Sequence, residues 1–293
     1  MSTESQFQDA IAATGMTPPD AINADGQIHR WNGTDKRGNT RNSWYSLHLD
    51  GTPAGSFGDW AGLEKQSWCA KREHDLTDNE RQVMRDRIKA ANRQRNAERD
   101  RIHAEAATRA VAIWTAAAPA LDHPYLERKG VKAHGIRTDG HHLLIPRRDA
   151  AGKLWSLQTI APNGEKRFMP GGRVTGTYFS IGKPEGIVIV CEGLATGATL
   201  RESTGCAVAV AFSAGNLMAV AVALRAKYPD MSLTIAADDD FQTVSNPGLT
   251  AARAAAAAVG GKLAIPNFDG LVRGTSTDFN DVQRLIREQK AAS

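Results

Sequence analysis

From residue 186 onward the chain alternates between two rhythms. Four short apolar runs, GIVIVC (186–191), AVAVAF (207–212), SLTIAA (232–237) and KLAIP (262–266), are separated by stretches of helical pattern at 195–203, 215–228 and 247–259. Near-continuous apolar strands between helices predict a parallel sheet covered on both faces, with right-handed crossovers. A last helix is predicted over 281–290.

Upstream the rhythm is different. A short helical pattern at 6–13 precedes IHRWN (28–32), SWYSLHLD (43–50) and AGSFGDW (54–60), where aromatic and β-branched residues sit between turn residues such as Asp50-Gly51. These read as short strands. Residues 77–117 read as one long helix, with Thr77 and Glu80 as a capping box and Pro119 as its stop. Its middle, RDRIKAANRQRNAERDR (85–101), is too polar for a core-facing stripe, whereas the alanine-rich end can bury a face. HPYLERKGV (123–131) reads as a short helix between Pro124 and Gly130. HLLIPRRDAAGKLWSLQTI (142–160) reads as a hairpin turning at Ala151-Gly152, and 166–182 as further strand and glycine turns. The organisation expected is a β-rich module (1–75), a connector helix (76–118), a basic α+β subdomain (119–182) and an α/β domain (183–293).

Composition adds that this is a globular chain, with 41% hydrophobic and 23% charged residues. No apolar run approaches the roughly 20 residues of a membrane helix, and the polar, acidic start MSTESQFQDA is unlike a secretory signal. A cytoplasmic location without membrane association is expected. Three cysteines, Cys69, Cys191 and Cys206, form no paired motif. With His29, His48 and His74 they match no zinc spacing, so no zinc is expected.

Charge is uneven although the net value is only +4. Residues 126–174 carry ten Lys/Arg against four Asp/Glu, and residues 183–293 carry ten against eleven. A basic surface beside an acid-tipped domain suggests a polyanion held next to a metal, although on charge alone a solvated basic face is the better account.

The acids stand where the strands end. Glu192 closes the first strand, Asp238, Asp239 and Asp240 the third, and Asp278 and Asp281 follow the fourth. Open α/β sheets bind ligands at those carboxyl ends. Each acid has a plainer reading, as a helix-dipole charge, a turn or a cap. At three strand ends of one sheet those readings account less well for the whole. Converging hard oxygen ligands suit Mg²⁺ or Mn²⁺. The aromatics Trp31, Trp44, Tyr45, Phe57 and Trp60 could stack unpaired bases, but a small hydrophobic core explains most of them better.

The wording CEGLATGAT and AADDD, with the trailing DFND, resembles the Toprim domain of bacterial-type primases, topoisomerases and some nucleases. HPYLERKGV, LLIPRRDAAGKLWSLQTI and GEKRFMPGG resemble the basic half of the primase core in the phage and conjugative-plasmid branch. The resemblance implies a Rossmann-like parallel sheet in 183–293. It implies Glu192, Asp238 and Asp240 as catalytic and metal-linked residues, and Asp278 and Asp281 as auxiliary acids. It further implies Lys166 and Arg167, then Arg147, Arg148, Arg128 and Lys129, as contacts to nucleic acid or nucleotide. The implied activity is synthesis of RNA primers on single-stranded DNA from ribonucleoside triphosphates. With no Walker motif in the sequence, a separate replicative helicase is the expected partner. A Toprim nuclease and a non-catalytic single-stranded-DNA-binding accessory protein remain the alternatives.

Overall fold

A computed structural model describes residues 2–33, 43–59, 65–71 and 77–292. It divides into two compact units, 1–97 and 98–293.

In the first unit α1 (Thr3–Ala12) precedes a meander of β1 (His29–Trp31), β2 (Ser43–His48), β3 (Ala54–Asp59) and β4 (Gln66–Cys69), all antiparallel. The sequence pattern missed β4. Phe7, Ile11, Trp31, Tyr45, Leu47 and Phe57 form the buried core, with Phe7 edge-on to Tyr45, Phe57 and Trp68. Trp44 is also buried. These aromatics are therefore spent on packing. Trp60 and His74 lie outside the described residues, as does the Glu80 side chain of the expected capping box.

The helix α2 (Asp78–Ala116) runs across the boundary between the units. As its alanine content suggested, Ala106, Ala107 and Ala110 are buried, and Ala110 packs with Leu154 and Leu157.

The second unit holds two sheets. One is antiparallel, in the order β5 (Ala118–Pro119), β6 (Arg137–Thr138), β7 (Leu143–Arg148), β8 (Leu154–Ile160), β9 (Lys166–Phe168), with α3 (Pro124–Lys129) beside it. The β7–β8 turn is closed by Asp149, whose carboxylate accepts from the Ala151 and Lys153 N–H groups and from Trp155 Nε1. Gly152 supplies the left-handed residue this turn needs, at φ 87°.

The other sheet is formed by β10 (Phe179–Ile181), β11 (Ile187–Cys191), β12 (Ala207–Val210), β13 (Ser232–Ala236) and β14 (Lys262–Ala264), in the order β10-β12-β11-β13-β14. β11 to β14 are parallel, as the apolar runs predicted, and β10 is an antiparallel edge. The helices are α4 (Leu194–Thr204), α5 (Ala214–Lys227), α6 (Pro247–Ala258) and α7 (Phe279–Ala292).

Packing and strand pairing continue across 182/183. One core contains Leu143, Ile145 and Ile160 of the antiparallel sheet together with Ile189, Cys191 and Val208 of the parallel sheet. Arg148 and Tyr178 exchange backbone hydrogen bonds at 3.0 and 2.8 Å. β10, upstream of that boundary, completes the downstream sheet.

Candidate active site

The chain leaves β11 toward β12 on one side and later returns to lay β13 on the other. Strand order thus reverses at β11, and the carboxyl ends of β11 and β13 flank the crevice that such a reversal opens. Glu192 directly follows β11, and Asp238 stands two residues beyond β13. The register pairs Val190 with Ile235, so both carboxylates leave the sheet at nearly the same level.

These carboxylates crowd one another. Burial, then Asp240, pushes Glu192 up to about 7, against a backbone N–H from Ala214 at the start of α5 that favours its charged form. Burial, then Glu192, Asp278 and Asp240, pushes Asp238 up to about 8, with Lys166 acting against the rise. Glu192 Oε1 and Asp238 Oδ1 are buried without a hydrogen-bond partner. Asp240 Oδ2 accepts from the Gly248 N–H, in the first turn of α6, at 3.2 Å. The helix starts that face the acids are therefore those of α5 and α6, rather than α4 that directly follows Glu192.

Asp239 is set apart from its neighbours. Its carboxylate accepts from Asn246 Nδ2 at 2.6 Å and from Arg273 Nη2 at 2.7 Å. Arg273 lies over the Phe241 and Phe268 rings. This is a structural tie for the 265–278 loop.

Asp278 caps α7, its Oδ1 accepting from the Asp281 N–H at 2.8 Å, while its charge still acts on Asp238. Asp281 accepts from the Thr277 N–H and pairs with Arg284. The structure therefore joins Glu192, Asp238, Asp240 and Asp278 electrostatically and gives Asp281 to the helix start. The sequence offered no sign of Tyr125, whose buried hydroxyl has no partner. Burial, then the Asp278 charge, pushes it up to about 12. Asn280, which the sequence offered only as an alternative N-cap to Asp278, donates its Nδ2 to Lys129 O and Thr199 Oγ1 at 2.9 Å each.

The basic candidates separate as well. Lys166 faces the acids: crowding by protein and the Lys129 charge lower its pKa, while Asp278 and Asp238 raise it. The residue is exposed on β9. Successive residues of a strand point to opposite faces. Arg167 accordingly lies on the other face, paired with Glu165 at 2.7 Å, where it lines a cleft of about 390 Å³ with His141, His142 and Asn163. Arg148 donates to Gly152 O at 3.0 Å and Arg128 to Pro162 O at 3.1 Å. Arg147 is fully buried.

Among the described residues no three His, Cys, Asp or Glu stand in ready-made ligating geometry. Mg²⁺ needs no such cage, because it keeps several waters and takes one or two carboxylates. Two buried, unpartnered carboxylate oxygens beside mutually repelling acids fit a hard cation in chemistry.

Among the described residues no helix is long and apolar enough to cross a membrane. The chain is 36% identical over 284 residues to a DNA primase TraC of Escherichia coli, covering 92% of this chain and 27% of that protein. It is 34% identical over 287 residues to a second Escherichia coli protein of that name, covering 92% and 20%. It thus spans about a quarter of the length of these relatives. Among solved structures, the primase fragment of the bacteriophage T7 primase-helicase protein is similar at 15% identity and a TM-score of 0.40, over 59% of this chain and 78% of that one. The reversal at β11, the glutamate at its tip and the aspartates beyond β13 lie within the segment matched by the family Toprim_3: residues 187–286 are a Toprim domain.

Proposed function

We propose that this chain synthesises short RNA primers on single-stranded DNA from ribonucleoside triphosphates. The observation that carries this reading is the convergence of Glu192, Asp238 and Asp240 at adjacent strand ends, with Lys166 of the basic sheet facing them. The relatives named DNA primase support it.

Mg²⁺ or Mn²⁺ would be held by Asp238 and Asp240, with Glu192 and Asp278 adjoining, and would supply charge neutralisation for the attacking hydroxyl and the pyrophosphate leaving group. The chain's own groups set the rest. Lys166 and Lys129 draw phosphates to the acid-lined crevice. Glu192, whose Oε1 is buried and unpartnered, would take the proton of a primer 3′-hydroxyl as general base. Template contacts across the basic face would be mostly to phosphate and sensitive to salt.

The test is to incubate the pure protein with single-stranded DNA, labelled ribonucleotides and Mg²⁺ or Mn²⁺. Short labelled oligomers are expected, and Asp240→Asn should abolish them while sparing DNA binding. A shortened template would indicate a nuclease, and neither product a binding protein.

A further inference from the structure

Asn280 is the second residue of α7 and is 0% exposed. Asparagine near a helix start ordinarily serves as a cap, but here the capping is done by Asp278, whose Oδ1 accepts from the Asp281 N–H. The Asn280 amide leaves its own helix altogether. Its Nδ2 donates to the carbonyl of Lys129, the last residue of α3, and to Thr199 Oγ1 on α4, at 2.9 Å each. Its Oδ1 is buried with no partner. A buried polar atom left unpaired is costly, and the two Nδ2 bonds are made in spite of that cost.

Arg287, two turns further along α7, acts on the same place. Its Nη2 donates to Lys129 O at 3.3 Å and its Nη1 to Gly130 O at 3.2 Å. Gly130 ends α3 at φ 62°, and a Cβ there would collide with the Arg287 guanidinium. α3 has six residues, fewer than the roughly 12–15 below which an isolated helix is marginal. Its carbonyl end is held by donors from residues 151 to 158 positions away.

The Lys129 charge lowers the pKa of Lys166, while Asp278 and Asp238 raise it. Two ammonium groups thus stand near one another beside the acid cluster. Like charges repel, and the one on the looser support would retreat. Lys166 is on β9, which is hydrogen-bonded to β8. Lys129 is on the six-residue helix, and its main chain is where Asn280 takes hold. Two residues before Asn280 stands Asp278, whose charge acts on Asp238. Thr199, the other partner, is on the helix that follows Glu192. One amide therefore ties the backbone of a cation to the elements that bear or follow two of the acids.

We infer that Asn280 is a positioning residue: through the Lys129 carbonyl, with Arg287 beside it, it holds the Lys129 ammonium against the repulsion of Lys166, at the spacing that a nucleotide's phosphate chain bridges. This rests on the proposed reading for the identity of the ligand, but its test does not need catalysis.

The experiment is a double-mutant cycle of Asn280→Ala and Lys129→Met. It is read by calorimetric titration with inorganic tripolyphosphate in Mg²⁺, and by the nucleotide KM and kcat of primer synthesis. Lys129→Met alone should weaken tripolyphosphate binding. Asn280→Ala, which leaves Lys129 in the chain, should weaken it about fivefold and raise KM by a similar factor, with kcat within about twofold of the parent. In the Lys129→Met background Asn280→Ala should cost nothing further. A merely structural role would weaken both backgrounds equally, and that result overturns the inference. So does a tripolyphosphate affinity that either single variant leaves unchanged. Should Asn280→Ala fold poorly, Arg287→Met takes its place in the cycle, because Arg287 is exposed. The same coupling to Lys129 is then expected at a smaller amplitude, about twofold, and its absence refutes the inference. Primer synthesis by a chain whose cycle shows no coupling would sink this inference alone. Coupled tripolyphosphate binding without primer synthesis would sink the primase reading alone.

Discussion

Gly248 donates its backbone N–H to Asp240 Oδ2, and the missing side chain at 248 is what lets them meet. A Cβ there would stand 2.7 Å from Asp238 O, 2.9 Å from Asp240 Oδ2 and 3.2 Å from Glu192 Oε1. The nearest of these is backbone and cannot swing aside. Helix α6 therefore approaches all three candidate acids as bare main chain, positive end first. Gly248→Ala is expected to push this turn outward and lower primer synthesis by about tenfold or more, as small displacements of reacting groups do. Steady-state synthesis together with a melting curve checks it. Full activity would mean that the closeness of α6 is incidental.

The raised Asp238 and Glu192 give stability a definite pH dependence. A carboxylate whose folded pKa exceeds its unfolded value binds more protons folded than unfolded between the two. For Asp238 that window runs from its ordinary value of 3.8 to about 8, and stability falls as pH rises through it. Asp238→Asn removes the charge. In EDTA at pH 8 the variant should melt higher than the parent, by about 5 °C, and the gap should close toward pH 4. Added Mg²⁺ should raise the melting temperature of the parent and not that of the variant. A parent that melts higher than the variant at pH 8 in EDTA would refute the repulsion between these acids.

Asp239 should behave in the opposite way to its two neighbours. Burial raises its pKa, but the hydrogen bonds from Asn246 and Arg273 outweigh this and leave it below the usual range. Its contribution is thus present above the unfolded pKa and lost as pH falls through the folded one. The Arg273–Asp239 pair is 27% and 16% exposed, so Asp239→Asn should cost about 1–2 kcal/mol in a urea titration. Mg²⁺-dependent stabilisation should persist. Loss of the metal effect with unchanged stability would place Asp239 among the ligands.

Lys166 and Arg167 are neighbours with different expected phenotypes. Lys166→Met should raise the KM for nucleotide or template several-fold and flatten the salt dependence of binding by about one phosphate contact. Arg167→Met, on the opposite face and paired with Glu165, should leave the nucleotide KM near the parent value. Equal defects would show that β9 does not divide the two. Titrations of nucleotide and of DNA at three salt concentrations separate these outcomes.

Much of the α/β part was legible because burial on both faces forces a strand to be apolar throughout, and four such runs stand out from 186 onward. Glu192 and the aspartates were legible for the converse reason, as charge at the end of an apolar run. The triple Asp was not resolvable further. β13 ends at Ala236, so no strand alternation governs 238–240. Asp239 is turned aside by Asn246 and Arg273, the latter 34 residues away, and Asp240 is held by the Gly248 N–H. Strand was expected within 166–182 without its limits, and the period of two tells Lys166 and Arg167 apart once β9 is bounded at Lys166–Phe168. The ties of Asn280 were hidden because its partners, Lys129 and Thr199, lie 151 and 81 residues off. Arg147 was named as a contact to nucleic acid or nucleotide, but its burial was hidden. That burial depends on Phe168 and Phe212, which no local pattern connects.

The apolar core common to the two sheets constrains how the crevice can open. Ile145 and Ile160 pack with Ile189 and Cys191 in one cluster, and interiors packed at crystal-like density do not shear continuously. A clamshell hinge between the lysine-bearing sheet and the carboxylate-bearing sheet is therefore not available to this molecule. Admission of substrate and escape of product must be handled by small parts at the rim. The spacing of cation and carboxylate is fixed when the chain folds, before any substrate arrives.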